Sequence, residues 1–218
     1  MGSPLVTQQG CAVLLPSCYC ADVAYYAAMA AHPVCAVDAA MRFDKRAKHT
    51  HRTAIASTHG PMMLTVPVQK PAMTHGAKWT DILVSDHNDW WHLHRTALES
   101  AYGRTPFFEY YADELLPALG EHTVNRPITE LNYALDAAIR SILGLDTKIV
   151  LPDDIDPALT IHDYRRGWPQ TEIAAPYYQV REQQLGFIGG MSILDLIFNL
   201  GPEAPLYIHK INSLRESW

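Results

Sequence analysis

The chain has 218 residues, 48% apolar and 18% charged, with 17 Lys+Arg against 23 Asp+Glu and a formal charge of −6. That composition excludes a disordered chain, and the acidic balance argues against general binding to nucleic acid or to acidic membranes. The length predicts one domain over residues 1–218, large enough to bury roughly 70% of its unfolded surface without staples.

The opening run CAVLLPSCYCADVAYYAAMAAH is not read as a secretory leader, because no Lys or Arg precedes Arg42 and Pro16 and Asp22 interrupt it. No other stretch reaches membrane-spanning length, so the expectation is a cytoplasmic protein without membrane insertion. Within that run, residues 11–15 predict a short buried strand stopped by Pro16. Ser17 is the candidate cap of a helix through Val23, Tyr26, Ala27 and Ala30. Residues 35–37 form a second strand ending at Asp38, so the opening predicts strand–helix–strand. Residues 51–56 and 63–68 are extended runs around the turn Thr58-His59-Gly60-Pro61, the pattern of an antiparallel hairpin. Residues 70–79 predict a loop and residues 81–84 a further strand.

From Asp89 the apolar period changes from two to 3.6. Three helices are expected: one capped by Asp89 and ending at Gly103, one begun by Thr105-Pro106 and ending at Gly120, and one begun by Pro127 and ending at Gly144. Residues 148–151 predict a strand, and an irregular segment rich in Pro, Tyr and Trp follows. Ser192-Ile193-Leu194-Asp195 has the form of a capping box for a short helix that stops at Gly201-Pro202. The fold class is α/β, with a mixed sheet in the N-terminal half and several helices from about residue 89 onward.

Chemistry-bearing residues are unevenly spread. RFDKRAKHTHR, residues 42–52, holds five of the 17 Lys+Arg side chains. It is either a solvated surface or an anion site built by Lys45, Arg46 and Arg52 for a phosphate-bearing substrate. The four cysteines, Cys11, Cys18, Cys20 and Cys35, stand without a second Cys/His group at zinc-finger spacing and read as reduced, mostly buried thiols of an intracellular protein.

The motifs LLPSCYCADVAYYAAM, GPMMLTVPV, TALESAYGRTPFFEYYADELLPAL and FIGGMSILDLIFNLGPEA, in that order, resemble the WbqC-like family over about residues 11–205. Its proline–tyrosine motif falls on Pro16, Tyr19, Tyr25 and Tyr26, and its basic run on Lys45, Arg46, Arg52 and Ile55. Its Trp-x-x-x-His pair falls on Trp90 and His94, ahead of Ala101-Tyr102, and its Ser-Ile-Leu-Asp motif ends at Asp195. Leu15 stands where many relatives carry Gln, and a Ser-Gly segment found in many of them after about residue 150 is absent. The resemblance implies bacterial surface-polysaccharide (O-antigen) biosynthesis. There the chain would act as an acyl- or aminoacyl-transferase on an activated amino sugar such as a nucleotide-sugar, with no cofactor. The alternative is a non-catalytic binding or scaffold protein that keeps an anion pocket.

His94, four residues after Trp90 on one helix face, is the candidate for proton transfer, against a half-buried core histidine. Asp195 is either a helix cap or a carboxylate that orients His94 or a substrate amine. Tyr19, Trp90 and Tyr102 join Lys45, Arg46 and Arg52 as the expected substrate-binding set. His49 and His51 would share a face of a strand, but nothing else at ligand spacing accompanies them and no metal is expected. Cys18 and Cys20 read as core residues or as nucleophiles paired with His94. Tyr164, Trp168, Tyr177 and Tyr178 read as walls of a sugar-sized pocket or as aromatic core.

Overall fold

A computed structural model describes residues 10–69, 71, 73, 75–170 and 176–215. Strand β1 (Cys11–Pro16) is an unbroken apolar run, the pattern of a parallel strand covered on both faces. The chain then runs through residues 17–21, with Cys20 at φ 44°, before helix α1 (Val23–Ala30) begins. The cap is Asp22, whose carboxylate accepts the Tyr25 N–H at 2.9 Å, and not Ser17, whose hydroxyl accepts from Asn132 Nδ2. Seven of the eight α1 residues are buried, so this helix is apolar all round and occupies the centre of the molecule.

Strand β2 (Val34–Asp38) pairs parallel to β1, with Pro16 opposite Asp38, which completes the expected strand–helix–strand unit. Strands β3 (Arg52–Ser57) and β4 (Gly60–Thr65) form the hairpin, as a ladder separate from the main sheet. Strands β5 (Val68–Gln69) and β6 (Leu83–Val84) make a second small antiparallel pair. The main sheet is instead completed by β7 (Lys148–Val150) and β8 (Thr160–Asp163), in the order β7-β2-β1-β8, every pairing parallel.

Helix α2 (Trp90–Tyr102) buries Trp90, His94, Leu98, Ala101 and Tyr102 along one stripe and lies against β3. Asp89 precedes it in a left-handed conformation without a side-chain cap. Helix α3 (Phe108–Leu115) starts after Phe107, because the Thr105 hydroxyl donates back to the Tyr102 carbonyl instead of capping. Helix α4 (Ile128–Ile142) follows Pro127, and the short α5 (Glu182–Leu185) lies in the irregular segment. Helix α6 (Ile193–Leu200) buries seven of its eight residues. Helix α6 stops at Gly201-Pro202 as expected, and a further helix, α7 (Ala204–Arg215), follows it and packs on α1. Proline is tolerated in a first helical turn, so Pro202 and Pro205 do not end the chain's helical course.

Tyr25, Tyr26, Met29, Ile55, Leu98, Ile128, Ile139 and Phe198 share one buried cluster, each side chain worth roughly 1.5–3 kcal/mol of burial. No helix among the described residues is long and apolar enough to cross a membrane.

Candidate functional site

Growth of the sheet runs from β1 to β2 and β7, and β8 then returns to the opposite side of β1. Open parallel sheets bind ligands outside the carboxyl ends of the strands where the order reverses, here between β1 and β8. Three chain segments meet at that point. The loop leaving β1 carries Ser17 to Asp22. The basic turn Lys48–Thr50 is tied to it: the Tyr19 N–H donates to the His49 carbonyl at 2.9 Å, and Asn132 Nδ2 donates to the Thr50 carbonyl at 2.9 Å and to Ser17 Oγ at 3.1 Å. The segment leaving β8 is joined through the Tyr164 N–H to the Leu14 carbonyl at 2.8 Å, and four residues later Trp168 donates its indole N–H to Asp22 Oδ1 at 2.8 Å. The Trp168 ring meets Tyr25 edge-to-face at 5.2 Å and His49 at 5.6 Å.

Burial raises the Asp22 carboxyl above its usual range, against the lowering effect of its bonds from Tyr25, Trp168, Gln170 and Ala24. Burial lowers His49, and the Asp22 charge opposes that shift. Arg52 is half-buried and its Nε has no hydrogen-bond partner among the described residues, while Lys48 and Lys45 are exposed. Arg46 is also exposed, but its guanidinium is held by Asp44, receiving bonds at 3.1–3.2 Å. Arg165 bridges the carboxyl ends of β2 and β8, donating to Asp38 at 2.9 Å and to Asp163 at 2.8 Å, so its charge is matched locally.

His94 lies behind this edge and is only 4% exposed. Its Nδ1 pairs with the Tyr19 hydroxyl at 2.8 Å, and a second bond joins the ring to the Thr65 backbone. That second bond raises the pKa, which identifies it as an N–H donated to the Thr65 carbonyl. Burial nevertheless dominates and brings His94 down to about 4, so the ring is neutral, with Nδ1 accepting from Tyr19. Trp90 packs edge-to-face on it at 5.0 Å.

Asp195 and Tyr102 form a different centre. Eight residues separate His94 from Tyr102, about 12 Å along the helix. The Asp195 carboxylate is 0% exposed and accepts from the Tyr177 hydroxyl at 2.5 Å, from Gln179 Nε2 at 2.7 Å, and from Tyr102, whose oxygen also accepts the Ala56 N–H at 3.0 Å. Asp195 therefore neither orients His94 nor caps α6; the Ser192 hydroxyl takes the capping bond from the Leu194 N–H. A small, shallow depression beside Asp195 is lined by Ala56, Tyr102, Gln179, Arg181 and Asn199.

The eight expected site residues thus fall into three groups: Tyr19, Trp90 and His94 under the basic turn, Tyr102 and Asp195 at the far end of α2, and Lys45, Arg46 and Arg52 along the basic run. His49 and His51 stand in and just after a tight turn, not along a strand, and they face different rings, Trp168 and Trp79. Among the described residues no group of three His, Cys, Asp or Glu is placed to hold a metal. Burial pushes the Cys18 thiol well up and Cys20 to about 12, so neither supplies a thiolate near neutral pH. Trp168 is half-buried at the edge, Tyr177 is buried with its hydroxyl committed, and Tyr178 is exposed. Asp22 was legible as a cap, standing one residue before an apolar helical run; nothing local to Trp168 marks its contact with residue 22.

A family model described as the WbqC-like protein family matches residues 17–165. The chain is also similar to a protein of Mycobacterium tuberculosis (strain ATCC 25618 / H37Rv) described as uncharacterized protein Rv1507c. The two are 29% identical over 199 residues, covering 77% of this chain and 84% of that protein. No solved structure matches.

Proposed function

The chain belongs to the WbqC-like protein family, and on that premise we propose that it transfers an acyl or aminoacyl group to an activated amino sugar during bacterial surface-polysaccharide synthesis. The substrate's phosphates would sit outside the carboxyl ends of β1 and β8, facing Lys48 and Arg52, with Lys45 attracting them from the rim. One observation carries this reading: the basic turn is bound by its backbone to the loop leaving β1, at the point where strand order reverses. Arg52 opens β3 two residues after that turn, and a guanidinium suits forked contact with phosphate oxygens. Tyr19, His94 and Trp90 then serve as the packed support beneath the turn.

The second reading, a binding or scaffold protein with the same anion pocket, is favoured by the sealing of His94 and Asp195 away from solvent. Calorimetric titration with nucleotide-sugars tests the shared core of both readings. Binding is expected to weaken with added salt, because exposed charges are screened beyond about 10 Å at ~0.1 M, and to fall roughly tenfold in Arg52→Ala. Equal affinity of wild type and Arg52→Ala would remove the anion site. Mass-spectrometric detection of an acylated sugar after incubation with an acyl thioester separates the transferase from the scaffold.

A further inference from the structure

Trp168 is placed unlike the other large aromatic side chains of the irregular segment. Tyr177 is sunk into the core with its hydroxyl on Asp195, and Tyr178 stands out in solvent. Trp168 is half-buried at the strand-order reversal, and three contacts hold it: the indole N–H on Asp22, the edge-to-face Tyr25 ring, and the His49 ring. A fixed, partly exposed indole beside polar groups is the surface that recognises a pyranose, whose axial C–H face packs on an aromatic ring while its hydroxyls need partners at the rim. His49 supplies such a partner. Its imidazole makes no side-chain hydrogen bond to the described residues, it is half-buried, and its backbone carbonyl is pinned by the Tyr19 N–H. The exposed Gln170, bonded to Asp22, adds an amide at the same rim.

We propose that Trp168 and His49 form a sugar subsite beside the basic turn, with Asp22 as the positioning residue that holds the indole. This rests on the reading that a phosphate-bearing sugar binds at the basic turn, and it assigns the two halves of that ligand to different residues. The phosphates face Lys48 and Arg52, and the pyranose ring lies on Trp168 with a hydroxyl or amine hydrogen-bonded to His49. The sequence order follows the same division, since Lys48 in the turn and Arg52 at the start of β3 both lie within three residues of His49.

The test compares UDP-N-acetylglucosamine, dTDP-glucose, GDP-mannose and CMP-sialic acid, each beside its free nucleotide, by calorimetry on the full chain. For a nucleotide-sugar that wild type binds more tightly than its nucleotide, Trp168→Ala is expected to lower the sugar-linked affinity roughly tenfold and leave the free nucleotide unchanged. His49→Ala should give a smaller loss with the same selectivity. Trp168→Phe, which keeps a platform and loses only the N–H bond to Asp22, should retain most of the increment. Unchanged nucleotide binding also reports that each variant is folded. Binding by wild type of no sugar-linked form more tightly than its nucleotide, a loss that strikes nucleotide and nucleotide-sugar equally, or no loss at all, overturns the subsite while leaving the anion site standing. Failure of wild type to bind any of the four overturns the functional reading and the subsite together.

Discussion

His94 provides the sharpest test, because the same substitution has opposite consequences for a proton-transfer group and for a sealed structural histidine. In the folded chain burial lowers its pKa from 6.5 to about 4. Between those two values the unfolded chain carries a proton that the folded chain refuses, so stability is full above pH 6.5 and is lost as the pH falls towards 4. The slope is about 1.4 kcal/mol per pH unit for one such group. At pH 5 the contribution of His94 to the loss is about 2 kcal/mol, or roughly 4–8 °C in melting temperature for a chain of this size. His51, 8% exposed and also lowered to about 4 by burial and its basic neighbours, adds a parallel loss, so the comparison must be made against a variant and not against zero. His94→Gln preserves a carbonyl to accept from Tyr19 and an amide N–H to donate to Thr65, and it cannot titrate. Urea unfolding at pH 7 and pH 5 should show the variant losing about 2 kcal/mol less than wild type across that interval. If wild type and His94→Gln lose the same amount, the sealed neutral imidazole is wrong. Proton transfer by His94 predicts instead a rate loss of about 10²–10⁴-fold without a change in this slope.

Two further outcomes follow from packing. Replacing Asp195 with Ala strands the Tyr177 and Gln179 donors and should cost about 3 kcal/mol, with amide exchange accelerating across residues 177–188 more than elsewhere; unchanged protection there would refute the clamp. Gly201→Ala and Gly144→Ala both place a side chain at positive φ, but only at Gly201 would the new methyl overlap a ring, that of Phe107. Thermal melts should show about 1–2 kcal/mol lost at Gly144 and at least roughly twice that at Gly201, and equal losses would contradict the Phe107 packing.

Local pattern was enough for the elements whose apolar residues recur at a fixed period. The continuous run of β1, covered on both faces, and the 3.6-residue stripes of α2 and α4, each buried along one face, are legible because burial selects both the residue type and its spacing, and the hairpin is legible from its turn at Gly60. β8 was hidden: THR-ILE-HIS-ASP at a sheet edge is mostly exposed, so no burial pattern marks it, and only pairing with β1 makes it a strand. Helix α7 was hidden for a related reason, since its amphipathic signal is weak and its place is set by packing on α1.

Residue chemistry and long-range contact divide in the same way for the site. The basic run, the Trp90–His94 pair and the Asp195 motif are readable in the sequence as types of side chain. Their accessibility is not, because desolvation depends on what the rest of the chain lays over them. Residues 75 positions apart join Tyr19 to His94, and 146 positions apart join Asp22 to Trp168. Those contacts bury the histidine that spacing favoured and leave His49 at the open edge. A linear sequence specifies which groups can ionise, donate or stack; the low dielectric and the partners that decide whether they do so exist only once the sheet has closed its order around β1.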